Sequence, residues 1–254
     1  MDRLAFNAAA AVNEQRVSRQ MTANELANVS TVGFKRSFEA ATRAIKVTGA
    51  GMETRYQPQA VSTDKIDLTP GTMMATGRNL DIAINGASVL GVTAPNGQVA
   101  YTRRGDLRVN AAGVLENGTG AAVRGESGGV INIPAGFDVQ INPDGNIYAR
   151  APGQATNAAG VLIDRLVLRD ASQTPLERRV DGLYQLMGQP GKEIAANPGA
   201  PSTVTPKALE GSNVNAMSVM VKLMEQSRSF EQQIKVLKET KSGDEAGSTM
   251  LRLS

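Results

Sequence analysis

Hydrophobic residues follow a helical period at the two ends of this chain and a period of two between them. In Ser212–Thr240, which is free of Gly and Pro, Ala216, Leu223, Phe230 and Leu237 recur every seven residues. Met220, Ser227 and Ile234 form a second set, offset by three or four. Such a seam is what one helix presents to another. Ser242-Gly243-Asp244 is expected to end the helix. Residues 2–29 also lack Gly and Pro. Leu4, Ala8, Ala11 and Val12, continued by Val17, Met21 and Leu26, make a stripe of mostly small side chains. Gly33 is placed to stop this first helix, and the pattern allows helix again over 37–48.

From Asn79 the alternation changes. Leu80, Ile82 and Ile84 are separated by Asp81 and Ala83, as in a half-buried strand. Pro95-Asn96-Gly97, Ala112-Gly113, Asn117-Gly118, Pro143-Asp144-Gly145 and Asp181-Gly182 then fall between short apolar runs. Turns this closely spaced predict hairpin-joined antiparallel strands rather than alternating strands and helices. The predicted class is α+β: paired N- and C-terminal α-helices, coiled-coil-like, with an inserted, mainly antiparallel β-domain. The predicted division is a discontinuous helical domain at 1–30 and 208–254, an extended linker region at 31–78 and a β-rich domain at 79–207.

Composition narrows the chemistry. The 254 residues contain no His and no Cys, so no imidazole base, no thiolate and no Cys/His zinc site is available. The net charge of +3 is small and scattered, which argues against nucleic acid or a membrane surface as partner. The basic pairs Lys35-Arg36, Arg103-Arg104 and Arg178-Arg179 are expected to be solvated surface. No apolar run is long enough to span a bilayer. LAFNAAAAV near the N-terminus is interrupted by Asn7 and makes a poor secretion signal. Gly118-Thr119-Gly120 lacks the rest of a dinucleotide fingerprint. No catalytic, cofactor or metal residues are assigned, and no cofactor or small-molecule substrate is expected.

Four motifs carry a resemblance. Asn24-Glu25-Leu26-Ala27-Asn28-Val29-Ser30-Thr31-Val32-Gly33-Phe34-Lys35 resembles the N-terminal signature of the flagellar rod and hook proteins, with Glu25 and Val32 departing from the usual Asn and Pro. Asn79-Leu80-Asp81-Ile82-Ala83-Ile84-Asn85-Gly86, Tyr101-Thr102-Arg103-Arg104-Gly105 and Leu209-Glu210-Gly211-Ser212-Asn213-Val214 are similar to three further signatures of that family, in the same order. The resemblance implies a non-enzymatic structural subunit of the flagellar basal body, in the rod that crosses the periplasm. It implies export by the flagellar type III apparatus without a cleaved signal. Its partners would be other copies of itself and other rod subunits, and it would not insert into a membrane. Leu4, Ala8, Ala11, Leu26, Asn28, Met220, Leu223, Phe230, Ile234 and Leu237 are the expected helix-packing contacts between subunits. An extracellular carbohydrate-active or carbohydrate-binding β-domain is the alternative from another class.

Overall fold

The computed structural model describes residues 2–37, 41–46, 56–61, 65–153, 160–197 and 202–252. These residues form two helices, α1 (Asp2–Ala27) and α2 (Ala216–Arg252), and seventeen strands. The chain divides into two compact units. One comprises Met1–Ala27, Glu39–Thr63 and Asn215–Ser254; the other comprises Asn28–Phe38 and Asp64–Val214.

The second unit is built on a sheet of eight strands. The strand Ser88–Thr93 is central, paired antiparallel with Val99–Thr102 on one edge and with Leu168–Asp170 and Ala122–Val123 on the other. Its side chains explain its position. Val89 packs with Ile66, Tyr101, Leu176 and Tyr184 in one core, while Leu90 and Val92 join Ile82, Leu107, Leu115, Ile131, Ile147 and Leu166 in a larger one. Alternating side chains thus enter two different cores, and a strand buried on both faces carries apolar residues without a polar face. The predicted turns at Pro95-Asn96-Gly97, Ala112-Gly113 and Asp181-Gly182 each close an antiparallel pair in this sheet. Pro143-Asp144-Gly145 closes one in a separate three-stranded sheet.

In the first unit, Ala41–Lys46 and Tyr56–Val61 form an antiparallel ribbon in register from Ala41↔Val61 to Lys46↔Tyr56. Over Ala41–Lys46, strand therefore replaces the helix that the pattern allowed for 37–48, and residues 38–40 and 47–48 lie outside the described residues. α2 continues through Gly243 to Arg252. One Gly costs a helix only about 1 kcal/mol, too little to end it alone. No helix among the described residues is long and apolar enough to cross a membrane.

The predicted class is overturned. The described residues are mostly β, with one N-terminal and one C-terminal helix, and no coiled-coil-like seam joins the two among the described side chains. Among the described side chains, hydrogen bonds join α1 to α2. The Gln226 amide donates to Ser18 Oγ at 3.0 Å and Thr22 Oγ1 at 3.1 Å, and Gln15 Nε2 donates to the Gln226 carbonyl at 2.7 Å. Of the predicted seam, Met220 is exposed and Leu223, Phe230 and Ile234 are only half-buried. α1 supplies Gln15, Ser18 and Thr22 at helical spacing, so part of the stripe that meets α2 is hydrophilic. A search for apolar periodicity passes over it.

Replacing Ile147, fully buried in the larger core, with Ala is expected to cost about 2–5 kcal/mol. Urea unfolding of the two proteins measures the difference.

Candidate functional site

Three ionisable side chains far apart in sequence are buried together in the second unit. Lys35 follows α1 by eight residues, Glu210 precedes α2 by six, and Arg103 directly follows the strand Val99–Thr102. Lys35 Nζ lies 2.7 Å from Glu210 Oε1, and Arg103 donates from Nε and Nη2 to Glu210 Oε2 at 2.9 and 2.6 Å. Their side-chain exposures are 0%, 2% and 0% for Lys35, Glu210 and Arg103.

One carboxylate thus faces two cations, and backbone dipoles supply the remaining compensation. Lys35 Nζ donates to the Thr69 carbonyl at 2.7 Å. Arg103 donates to the carbonyls of Gly86 at 2.7 Å, Ser88 at 2.6 Å and Ile84 at 2.8 Å. Glu210 Oε1 also accepts from the Gly71 amide at 3.0 Å. A buried charge is tolerated only when such partners replace its hydration. Burial nevertheless pushes the Lys35 ammonium below its ordinary value; hydrogen bonding to Glu210 opposes the shift and the Arg103 charge adds to it.

The backbone around the cluster is woven from the same segments. The Gly33 amide donates to the Glu210 carbonyl at 2.7 Å, and the Asn213 amide to the Phe34 carbonyl at 3.3 Å. The Asn213 side chain accepts from the Arg36 amide at 2.8 Å and donates to the Asp67 carbonyl at 3.0 Å. Tyr184 Oη donates to the Gly33 carbonyl at 3.3 Å. Two glycines make this approach possible. A Cβ on Gly33, whose φ is +66°, would lie 2.5 Å from the Arg103 carbonyl carbon, and one on Gly105 would lie 1.8 Å from the Ile82 carbonyl oxygen. Both are motif positions for a steric reason.

The structure brings most of the sequence-selected motif residues to this region. Gly33, Phe34, Tyr101, Thr102, Arg103, Gly105, Glu210, Ser212 and Val214 are buried, and Asn213 is half-buried. Gly86 contributes its carbonyl from an exposed turn. Leu80 packs on the larger core, Asp81 is buried 3.3 Å from Arg78 Nη1, and Leu209 pairs with Met74. Asn28 is half-buried just beyond α1.

The first unit holds Asn24 and Ala27, both exposed, and Leu26 and Ala11, both half-buried. Leu4 and Ala8 lie in α1 and Leu237 in α2, but their side chains fall outside the described residues.

Solvated surface was the wrong expectation for Lys35 and Arg103. The signal for them was charge balance between motifs: a lone Glu210 in one and basic residues in two others.

Removing the carboxylate leaves two buried cations without a counter-charge. Glu210→Gln is expected to cost about 3–5 kcal/mol in denaturant unfolding. Alkali has a definite sign. The folded value of Lys35 lies below 10.5, so between that value and 10.5 the unfolded chain holds the extra proton and stability rises with pH. Tyr101 and Tyr184 act oppositely. Burial raises both phenols above 10.0, so their contribution falls as pH climbs beyond that value. Lys35→Met is expected to flatten that rise on the acid side of 10.5, measured as unfolding free energy against pH.

Comparison with known proteins gives a consistent neighbourhood. Residues 83–149 match the family model described as flagellar hook protein FlgE/F/G D1 domain. Residues 205–250 match the one described as flagellar basal body rod FlgEFG protein C-terminal. The flagellar basal-body rod proteins FlgF of Salmonella typhimurium strain LT2 and Escherichia coli strain K12 are each 34% identical over 258 residues, covering 100% of both chains. A flagellar basal-body rod protein FlgG of Buchnera aphidicola from Acyrthosiphon pisum is 31% identical over 238 residues, covering 87% of this chain and 88% of its own.

Proposed function

The chain belongs to the flagellar basal-body rod protein family, and on that premise we propose how this subunit takes its place in the rod. It is a structural rod subunit, FlgF-like, located in the flagellar basal body. Its length and its LEGSNVN and RSFEQQIKVLK runs favour the same branch over FlgG.

The observation that carries the assembly reading is on α2. Met217, Met220, Val221 and Met224 recur at i, i+3, i+4 and i+7, and their exposures are 76%, 49%, 48% and 56%. Four large apolar side chains in one exposed stripe are an unspent source of binding energy, each worth about 1.5–3 kcal/mol when fully buried. The stripe is the surface through which α2 packs against neighbouring subunits. Neighbours are further copies of this chain and other rod proteins. The half-buried Leu223, Phe230 and Ile234 and the residues Leu4, Ala8, Ala11, Leu26, Asn28 and Leu237 belong to the same proposed contacts. Subunits reach the rod through the flagellar type III export apparatus without a cleaved signal, where the rod crosses the periplasm. The role is mechanical, without catalysis. Family membership supports these last points.

Met220→Asp together with Met224→Asp is expected to leave monomer stability within about 0.5 kcal/mol, as for other exposed positions, and to abolish swimming. The measurements are unfolding of the purified chain, motility, and recovery of the variant in isolated basal bodies. Normal incorporation would rule out the α2 stripe. Rescue of a strain lacking FlgF, but not of one lacking FlgG, checks the branch.

A further inference from the structure

Beside the buried cluster lies a recess of about 200 Å³, lined by Asn28, Thr31 and Phe34 on one side and by Arg104, Thr119 and Arg178 on others. Both guanidinium groups are held in place. Arg104 makes a two-pronged bond to Asp106, at 2.6 and 2.8 Å. Arg178 Cζ sits 4.3 Å from the Phe34 ring centroid and 5.9 Å from that of Tyr184, and one Nη2–H donates to the Lys35 carbonyl.

The two differ in charge balance. Asp106 neutralises Arg104, and Asp181, the one acidic residue in the lining, is paired with Arg179 at 3.1 Å. Among the described residues no carboxylate pairs with Arg178. A planar cation, half-buried and stacked on an aromatic ring, has already lost part of its side-chain entropy and hydration. An incoming carboxylate would meet it in a fixed orientation, with two donors side by side.

We propose that this recess is a socket for an acidic side chain, Asp or Glu, of a neighbouring rod subunit. The proposal rests on the assembly reading above and adds a second, polar contact to the apolar stripe of α2. Charge complementarity identifies the occupant, since the lining carries one cation more than its own acids balance. The volume admits a single side chain rather than a folded segment.

Two full-length variants test it. Arg178→Glu reverses the socket charge. Thr119→Glu sets a carboxylate at the exposed rim of the recess and leaves Arg178 on Phe34 and on the Lys35 carbonyl. Each chain is first checked for a cooperative thermal transition, then scored for recovery in isolated basal bodies. Both variants are expected to fall at least tenfold below the native chain in incorporation, with Thr119→Glu retaining the native melting temperature. If Arg178→Glu fails to fold, Thr119→Glu alone decides. Native-level incorporation of a folded variant overturns the socket. If the Met220/Met224 variant is excluded under the same conditions, the assembly reading survives that failure. If neither kind of variant affects incorporation, both readings fall. A rise in the native melting temperature with inorganic phosphate, absent in Arg178→Gln, would assign a free anion to the recess and overturn the subunit contact.

Discussion

Glu210 has to balance two buried cations, and the second unit is arranged so that it can. Lys35 and Arg103 are fully enclosed, and neither could remain so without the carboxylate between them. Placing that carboxylate fixes the segment that leads into α2. Placing Lys35 fixes the segment that leaves α1. Placing Arg103 fixes both to the central sheet, where its guanidinium also gathers the carbonyls of Ile84, Gly86 and Ser88. The glycines at 33 and 105 follow from the same demand, because backbones this close leave no room for a Cβ. Directional bonds between charges select one arrangement of these segments in a way that apolar contacts, which slide, do not.

The helices obey a different economy. Amides and hydroxyls bond α1 to α2, while the Met217–Met224 stripe of α2 is exposed. An isolated protein gains nothing from this arrangement. In the proposed assembly a subunit would, because the apolar surface would keep its binding energy for neighbours. The β unit is held by two cores and a charged lock.

The strands were legible because their signals are local. Tight-turn dipeptides and two-residue alternation depend on neighbours in sequence, so the hairpins at Asn96-Gly97, Ala112-Gly113, Asp144-Gly145 and Asp181-Gly182 could be placed without the structure. The helix contact was not legible as drawn. A seven-residue apolar repeat shows that a helix has a face but not what meets it, and Gln15, Ser18 and Thr22 answer with hydrogen bonds. The charge cluster lay between. Arg103 and Glu210 stood inside recognised motifs, yet a basic pair reads as solvent-facing by default. Only the fold shows that residues 35, 103 and 210 share one enclosure.

The spacing of those three positions has a consequence in time. A ribosome delivers Lys35 first, Arg103 some seventy residues later and Glu210 some hundred residues after that. Until then the two cations have no shared anion, and the segments that carry them have no reason to leave water. The enclosure of residues 35, 103 and 210 within the second unit therefore cannot close before Glu210 is in place. A growing chain stays unlocked until residue 210 has been made.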